Sequence, residues 1–220
     1  MSLTKTLKNR SSVRAFIDKP VGKDNLKQIF TLAQASISNC NVQPWQSYVV
    51  SGKTKNQLKK ALAEYIMTGQ QPQPEFDWTP KYQGQHRERQ FGSANALYSA
   101  LGIDRKDKVA RQKSMLQNWQ LFGAPHAVFF CMEKYLGIMG AVDLGIYAQT
   151  LSLIMKEQGI DSCMQGALGQ FPTPVKQILN IPDEMGILFG MSFGYADKDA
   201  AVNKTATDRV EMGQSVSFFD

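Results

Sequence analysis

The stretch NRSSVRAF, residues 9–16, holds two guanidiniums, Arg10 and Arg14, with the hydroxyls of Ser11 and Ser12 between them. Arginine presents a planar fork of donors that matches a phosphate, and serine hydroxyls add further donors. An ordinary basic surface turn would use the same residues, so the stretch alone leaves both readings open. A second polar run places Ser38, Asn39, Asn41 and Gln43 just after a helical pattern and just before an apolar one. Amides carry donors and acceptors together, which suits the edge of a heteroaromatic ring. A helix-to-strand loop that satisfies its own backbone is the other reading. Pro44 and Trp45 stiffen the exit of this run. A third stretch, GIDSCMQGAL at 159–168, sets Gln165 before Gly166, where a backbone without a Cβ can approach a flat ligand closely; a plain turn is the alternative. A fourth, NKTATDRVEM at 203–212, brings Lys204 and Arg209 into a polar tail.

Other chemistries lack their carriers. The two histidines, His86 and His126, are accompanied by no G-x-S-x-G nucleophile motif. SGKTK at 51–55 resembles the end of a phosphate-binding loop, but Ser47 stands where that loop requires glycine. No G-x-G-x-x-G follows a strand pattern. Cys40, Cys131 and Cys163 are odd in number and widely spaced, which predicts reduced, mostly buried thiols and no metal site. The match of Asn203-Lys204-Thr205 to the glycosylation pattern carries no weight in a chain without a secretion signal.

The elements that must position these residues follow from periodicity. Leu26, Ile29, Phe30 and Ala33 make one apolar face of a helix in DNLKQIFTLAQAS, and TKNQLKKALAEYI is a second amphipathic helix. SYVVSG reads as a buried strand. Gln, Pro and Gly crowd TGQQPQPEFDWTPKYQGQ, so a loop or lid is expected there. Helical pattern returns in RERQFGSANALYSAL, and Asp104 is the expected N-cap of another helix, RKDKVARQKSMLQNWQLF. HAVFFCME and GILFGMSFGY are continuous apolar runs and predict two central strands. Between them GAVDLGIYAQTLSLIMKEQG is apolar nearly all round, which predicts a buried helix ending at Gly159. PTPVKQILN predicts a short helix. The alternation in QSVSFF predicts a half-buried or edge strand. One α+β domain over 1–220 is expected.

The 220 residues are 43% hydrophobic and 20% charged, ordinary for a globular chain. No uncharged apolar run approaches the roughly 18 residues that span a membrane. MSLTKTLKNR has no apolar core or cleavage site, so a cytoplasmic location is expected. The net charge of +6 is spread out, with its densest groups, KNQLKK and RKDKVARQK, on solvated helix faces. No nucleic-acid motif accompanies it, and anionic small molecules suit the charge as well.

In combination, R-x-S-V-R-x-F, then S-x-x-N-x-Q-P-W, then Gly-Ile-x-Ser-Cys, then an arginine near the C-terminus resembles the FMN-dependent nitroreductase family across nearly the whole chain. The middle segment, 75–108, is similar to the insertion of a bacterial branch that includes nitrobenzoate reductases. The resemblance implies a central, mainly antiparallel sheet flanked by helices and a domain-swapped homodimer with FMN at the subunit interface. It implies a lid or loop region inserted at about 68–110. On it, Arg10, Ser11, Ser12 and Arg209 hold the phosphate and ribityl chain, helped by Lys204. Arg14 lies near the pyrimidine edge, where it tunes the flavin, and Ser38, Asn39, Asn41 and Gln43 come from the partner. Cys163, Met164, Gln165 and Gly166 line the flavin, with a backbone N–H toward N5. Phe76, Trp78, Tyr82 and Phe122 are the candidates to stack on an aromatic acceptor. The implied activity is ping-pong hydride transfer from NADH or NADPH through N5 to nitroaromatic or quinone-type acceptors. The same site acting on enones, or a non-catalytic flavin-binding protein, stays open. Two stretches depart from the family pattern. Ala206 and Thr207 stand where many relatives carry a second basic residue, and Met164 and Gln165 replace the more usual Pro or Glu.

Overall fold

The computed structural model describes residues 2–77 and 81–220. Its sheet has four strands, β1 (Gln46–Ser51), β2 (His126–Glu133), β3 (Asp161–Gln165) and β4 (Met185–Gly194). They run in the order β1-β2-β4-β3, and every pairing is antiparallel. The two apolar runs are the two central strands, as their composition predicts. Both faces of these strands are covered, and the period of two distributes their side chains between the layers. Val128, Phe130, Met132, Met191 and Phe193 pack against Leu144, Tyr147, Leu151 and Met155 of α6 (Gly137–Glu157), with Ile29 and Ala33 of α2 (Lys23–Ala33) beside them. Ala127, Phe129, Cys131 and Ile187 face the other way, against Leu58 and Leu62 of α3 (Gly52–Met67) and Val175 of α7 (Pro172–Leu179).

Helix ends follow local chemistry. The Ser2 hydroxyl accepts from Lys5 N at the start of α1 (Leu3–Asn9). Pro172 opens α7, where its missing N–H costs nothing, and left-handed Asn180 closes it. Gly159, with φ +76°, follows the last turn of α6 as expected. Lys134–Glu157 is long and apolar enough to cross a membrane, yet Leu144, Tyr147, Leu151 and Met155 are buried in the core, so the apolar length serves packing.

Four expectations are corrected. The helix expected from Asp104 starts later, as α5 (Lys108–Leu116), because the Asp107 carboxylate accepts from Ala110 N at 2.8 Å. Asp104 instead accepts from Lys106 N at 2.7 Å and closes a turn. β1 lies at the sheet edge, and Val50 is its buried residue. The stretch 161–165, open to reading as a turn, is strand β3. Finally, QSVSFF forms no strand, and Phe218 and Phe219 are 77% and 93% exposed. Alternation makes a strand only where the segment reaches a sheet edge, and among the described residues QSVSFF pairs with none. The edge beyond β3 is taken by a bridge from Ser12 to Ser162, with Val13 N donating to Ser162 O at 3.1 Å.

The Gln- and Pro-rich segment is a loop through residue 77, and it is tied down. Gln73 N donates to Gln170 O at 2.9 Å, and Ile187 N donates to a Glu75 carboxylate oxygen at 2.8 Å. Lys134 and Lys176 each lie 2.9 Å from the other Glu75 oxygen. Burial alone would raise this carboxyl's pKa, but the Ile187 N–H and the two ammoniums hold it below its ordinary value. The helical pattern after it forms α4 (Gly84–Ala100).

Candidate functional site

Residues 10–16 leave α1 and lie along the edge of β3. Val13 and Phe16 point inward and are buried with Phe122, Ala124 and Cys163. Extended backbone alternates its side chains, so burying Val13 turns Ser12 and Arg14 toward the opposite side. The C-terminal segment is strapped over this turn by Asn203. Its carbonyl oxygen accepts from Arg14 N at 2.7 Å, and its amide donates to Ala15 O and Asp197 O, each at 2.8 Å.

The strap closes a cleft of about 540 Å³ in which Arg10, Ser11, Ser12 and Arg14 meet Arg209. Thr205 and Thr207 lie beside Arg209, and Gln90, Ser93 and Leu97 of α4 form the facing wall. Lys8 of α1 is a fourth cation in the cleft, and among the described residues no carboxylate lines it. Lys204, expected to assist Arg209, is exposed and lies outside the lining. Lys8, exposed like Lys204, is the cation that lines the cleft with the three arginines. Arg209 curls onto its own turn, donating to Thr207 Oγ1 at 3.1 Å and Asp208 O at 2.7 Å.

A second cleft of about 520 Å³ shares Arg14 and Leu97 with the first. Tyr98, Leu101 and Ile103 follow along one side, Met115 and Asn118 along the other, and Phe122 closes it. Leu121 and Phe122 hold left-handed backbone, with φ of 55° and 52°. Such positions cost about 1 kcal/mol or more each and persist where surroundings over-determine them. Here Trp119 Nε1 donates to Ala167 O at 3.1 Å, and the Gln165 amide donates to Asn118 O at 2.9 Å and to Asn118 Oδ1 at 3.3 Å. The Gln165 carbonyl accepts from the Ser192 hydroxyl.

Strand alternation therefore divides the run expected to line a ligand. Cys163 and Gln165 turn inward and are buried, while Met164 is exposed. Burial pushes the Cys163 thiol up, against the opposing pull of Arg14 and Arg10, so the thiol is neutral. Gly166 starts the turn that follows.

Ser38, Asn39, Asn41 and Gln43 lie elsewhere and line neither cleft. Asn39 N donates to the Asp143 carboxylate at 3.0 Å, and Gln43 N donates to the Ser38 hydroxyl at 3.0 Å. Cys40, Asn41 and Gln43 all carry positive φ, which turns the amides outward on a tight, exposed loop. Of the four aromatic candidates, Phe122 lines the second cleft. Phe76 is half-buried over Gly186, where any Cβ would sit 2.6 Å from its ring. Tyr82 is exposed before α4 and lines neither cleft, and Trp78 lies outside the described residues. Asn118, Asn203 and the α4 wall were missed by sequence reasoning. The wall had a signal, because Gln90, Ser93, Leu97 and Leu101 recur at helical spacing.

His126 opens β2, as its place before AVFF suggests. Its Nε2 accepts from Val21 N at 2.9 Å and its ring stacks on Phe193. Burial and then the nearby Lys55 lower its pKa, so it is a neutral structural group. Among the described residues no cluster of three or more metal-binding side chains occurs.

Comparison with known proteins identifies the family and the fold. The family model described as "Nitroreductase family" matches residues 7–195. The chain is 36% identical over 216 residues to nitroreductase NfnB of Mycolicibacterium smegmatis, covering 96% of this chain and 90% of that protein. It is 31% identical to a 4-nitrobenzoate reductase of Pseudomonas putida, covering 96% and 92%. The crystal structure of an FMN and NADPH-dependent nitroreductase NfnB from sphigopyxis sp. strain HMH superposes with a TM-score of 0.97 at 34% identity over 100% of both chains. The FMN-dependent NfnB from Mycobacterium smegmatis, solved in complex with NADPH, superposes at 0.95 with 33% identity, covering 99% of this chain and 97% of that one. A family match over most of the chain, on a fold that brings Arg10, Arg14 and Arg209 to one cleft, means that this protein belongs to the nitroreductase family.

Proposed function

We propose that the protein is an NAD(P)H-dependent oxidoreductase that holds FMN and reduces nitroaromatic or quinone-type acceptors. The observation that carries this is the meeting of two unlike clefts at Arg14. One has four cations and no carboxylate, which fits a phosphate. The other is walled largely by apolar and aromatic side chains, which fits a flat ring. Arg10, Ser11, Ser12 and Arg209 would hold the phosphate and ribityl chain, and Arg14 would face the ring's pyrimidine edge. When bound, the flavin would supply the two-electron hydride exchange between a nicotinamide and the acceptor. Arg14 favours negative charge on the ring by the electrostatic logic used for oxyanions. Phe122, Leu97 and Leu101 exclude water from that side. No protein base is required, which agrees with His126 being locked in the core.

A homodimer completes the reading. Ser38, Asn39, Asn41 and Gln43 lie on an exposed loop that lines neither the phosphate cleft nor the ring cleft of its own chain, so they would reach the partner's ring. An exposed apolar surface runs beside them through Tyr135, Ile138, Met139 and Val142, as a subunit interface requires. The inserted region, proposed at about 68–110, would serve the site mainly through α4, since the loop before it is pinned by Glu75.

The test is an absorbance spectrum of the purified protein, followed by anaerobic addition of NADH and then NADPH. Flavin bands bleached by one nicotinamide and restored by 4-nitrobenzoate or a quinone are expected. A colourless protein that takes up no added FMN would overturn the proposal.

A further inference from the structure

We propose that the second cleft selects aromatic acceptors carrying a carboxylate, and that Lys113 is the residue that recognises the charge; this rests on the reductase reading above. The run 105–113, RKDKVARQK, holds five cations and one acid. Helix geometry sorts them. Ala110, Lys113, Ser114 and Gln117 share one stripe at α5, and that stripe lines the cleft. Of the five cations only Lys113 does so. Arg111 points instead over the Tyr98 ring, 5.0 Å from its centroid, and donates to Arg105 O at 3.1 Å. The nearby acids are engaged, because Asp104 and Asp107 accept from Lys106 N and Ala110 N.

No carboxylate lines this cleft, and among the described residues Lys113 has no ion-pair partner. The remaining cation of the cleft, Arg14, is shared with the anion cleft, which leaves Lys113 for a substituent on the acceptor. With the flavin ring at the Arg14 end of the cleft, Leu101, Ile103 and Met115 line the part toward Lys113, where they suit an apolar acceptor ring stacked on the flavin and raise the strength of a charge interaction at their rim. Lys113 is itself exposed, so the selection is moderate, about tenfold, as for a hydrogen bond to a charged group at a wet rim.

The experiment compares benzoate with benzamide, which share a shape and differ in charge, by isothermal calorimetry on the flavin-loaded protein. Benzoate is expected to bind about tenfold more tightly. Lys113→Gln should remove the difference chiefly by weakening benzoate, and Lys113→Arg should restore it. Equal binding to the wild type, or a preference that survives in Lys113→Gln, would overturn the proposal. So would a Lys113→Gln enzyme whose KM for NADPH rises while its benzoate preference stands, since the lysine would then serve the donor. Calorimetry needs no turnover. A protein that reduced no nitro compound would sink the reductase reading, while this comparison would still decide the role of Lys113.

Discussion

Asn203 and His126 show how little a residue's type says about its work. Asn203 sits in a tripeptide that looks like a glycosylation acceptor, yet its side chain makes three hydrogen bonds that hold the C-terminal strap on the Arg14 turn. His126 looks like a candidate base, yet it is buried, stacked and neutral. Its lowered pKa has a consequence for stability. The unfolded chain binds a proton near the ordinary value of 6.5 and the folded chain does not. Stability is therefore unaffected well above that value and falls as pH drops through it, by up to about 1.4 kcal/mol per unit until the folded ring also titrates. Urea unfolding from neutral to mildly acid pH should show this decline, and His126→Gln should flatten it. An unchanged slope in the variant would mean that carboxylates carry the acid sensitivity.

Elements differ in how openly their sequence announces them. β2 and β4 are legible because both faces are buried and the apolar run is unbroken. β3 is not, because it lies at the sheet edge and carries Asp161, Ser162 and Gln165. The loop before α4 was legible as a loop but not as a fastened one. Its anchor is Glu75, 12% exposed and shared by Lys176 and Lys134. Removing one partner of a buried charge cluster leaves the other desolvated, so Glu75→Ala should cost about 3 kcal/mol of stability. Limited proteolysis should show new cleavage around 70–77 in that variant. A stable, protease-resistant Glu75→Ala protein would mean that the segment is held by packing at Phe76 instead.

At the scale of the molecule, the Arg14 cleft and the 38–43 loop do not meet within one chain. If each site joins the Arg14 cleft of one subunit to the 38–43 loop of the other, then Arg14→Ala and an Asn41→Ala, Gln43→Ala double variant should complement each other. Each homodimer would be impaired, while a mixed dimer would hold one intact site and recover about half of the wild-type flavin and activity. Failure to recover either would place both halves of the site within one subunit.

The sequence by itself determined the central strands, the core helix, the cationic cluster of Arg10 to Arg14 and the family, since these rest on local periodicity and on motifs whose residues are neighbours in the chain. Only the tertiary structure decided that Lys8 lines the cleft with Arg209, that Gln165 turns into the core to brace Asn118, that α4 walls both clefts and that QSVSFF pairs with no strand. Those outcomes depend on which edges and faces other segments already occupy, and long-range competition for a surface leaves no periodic trace in the chain that enters it.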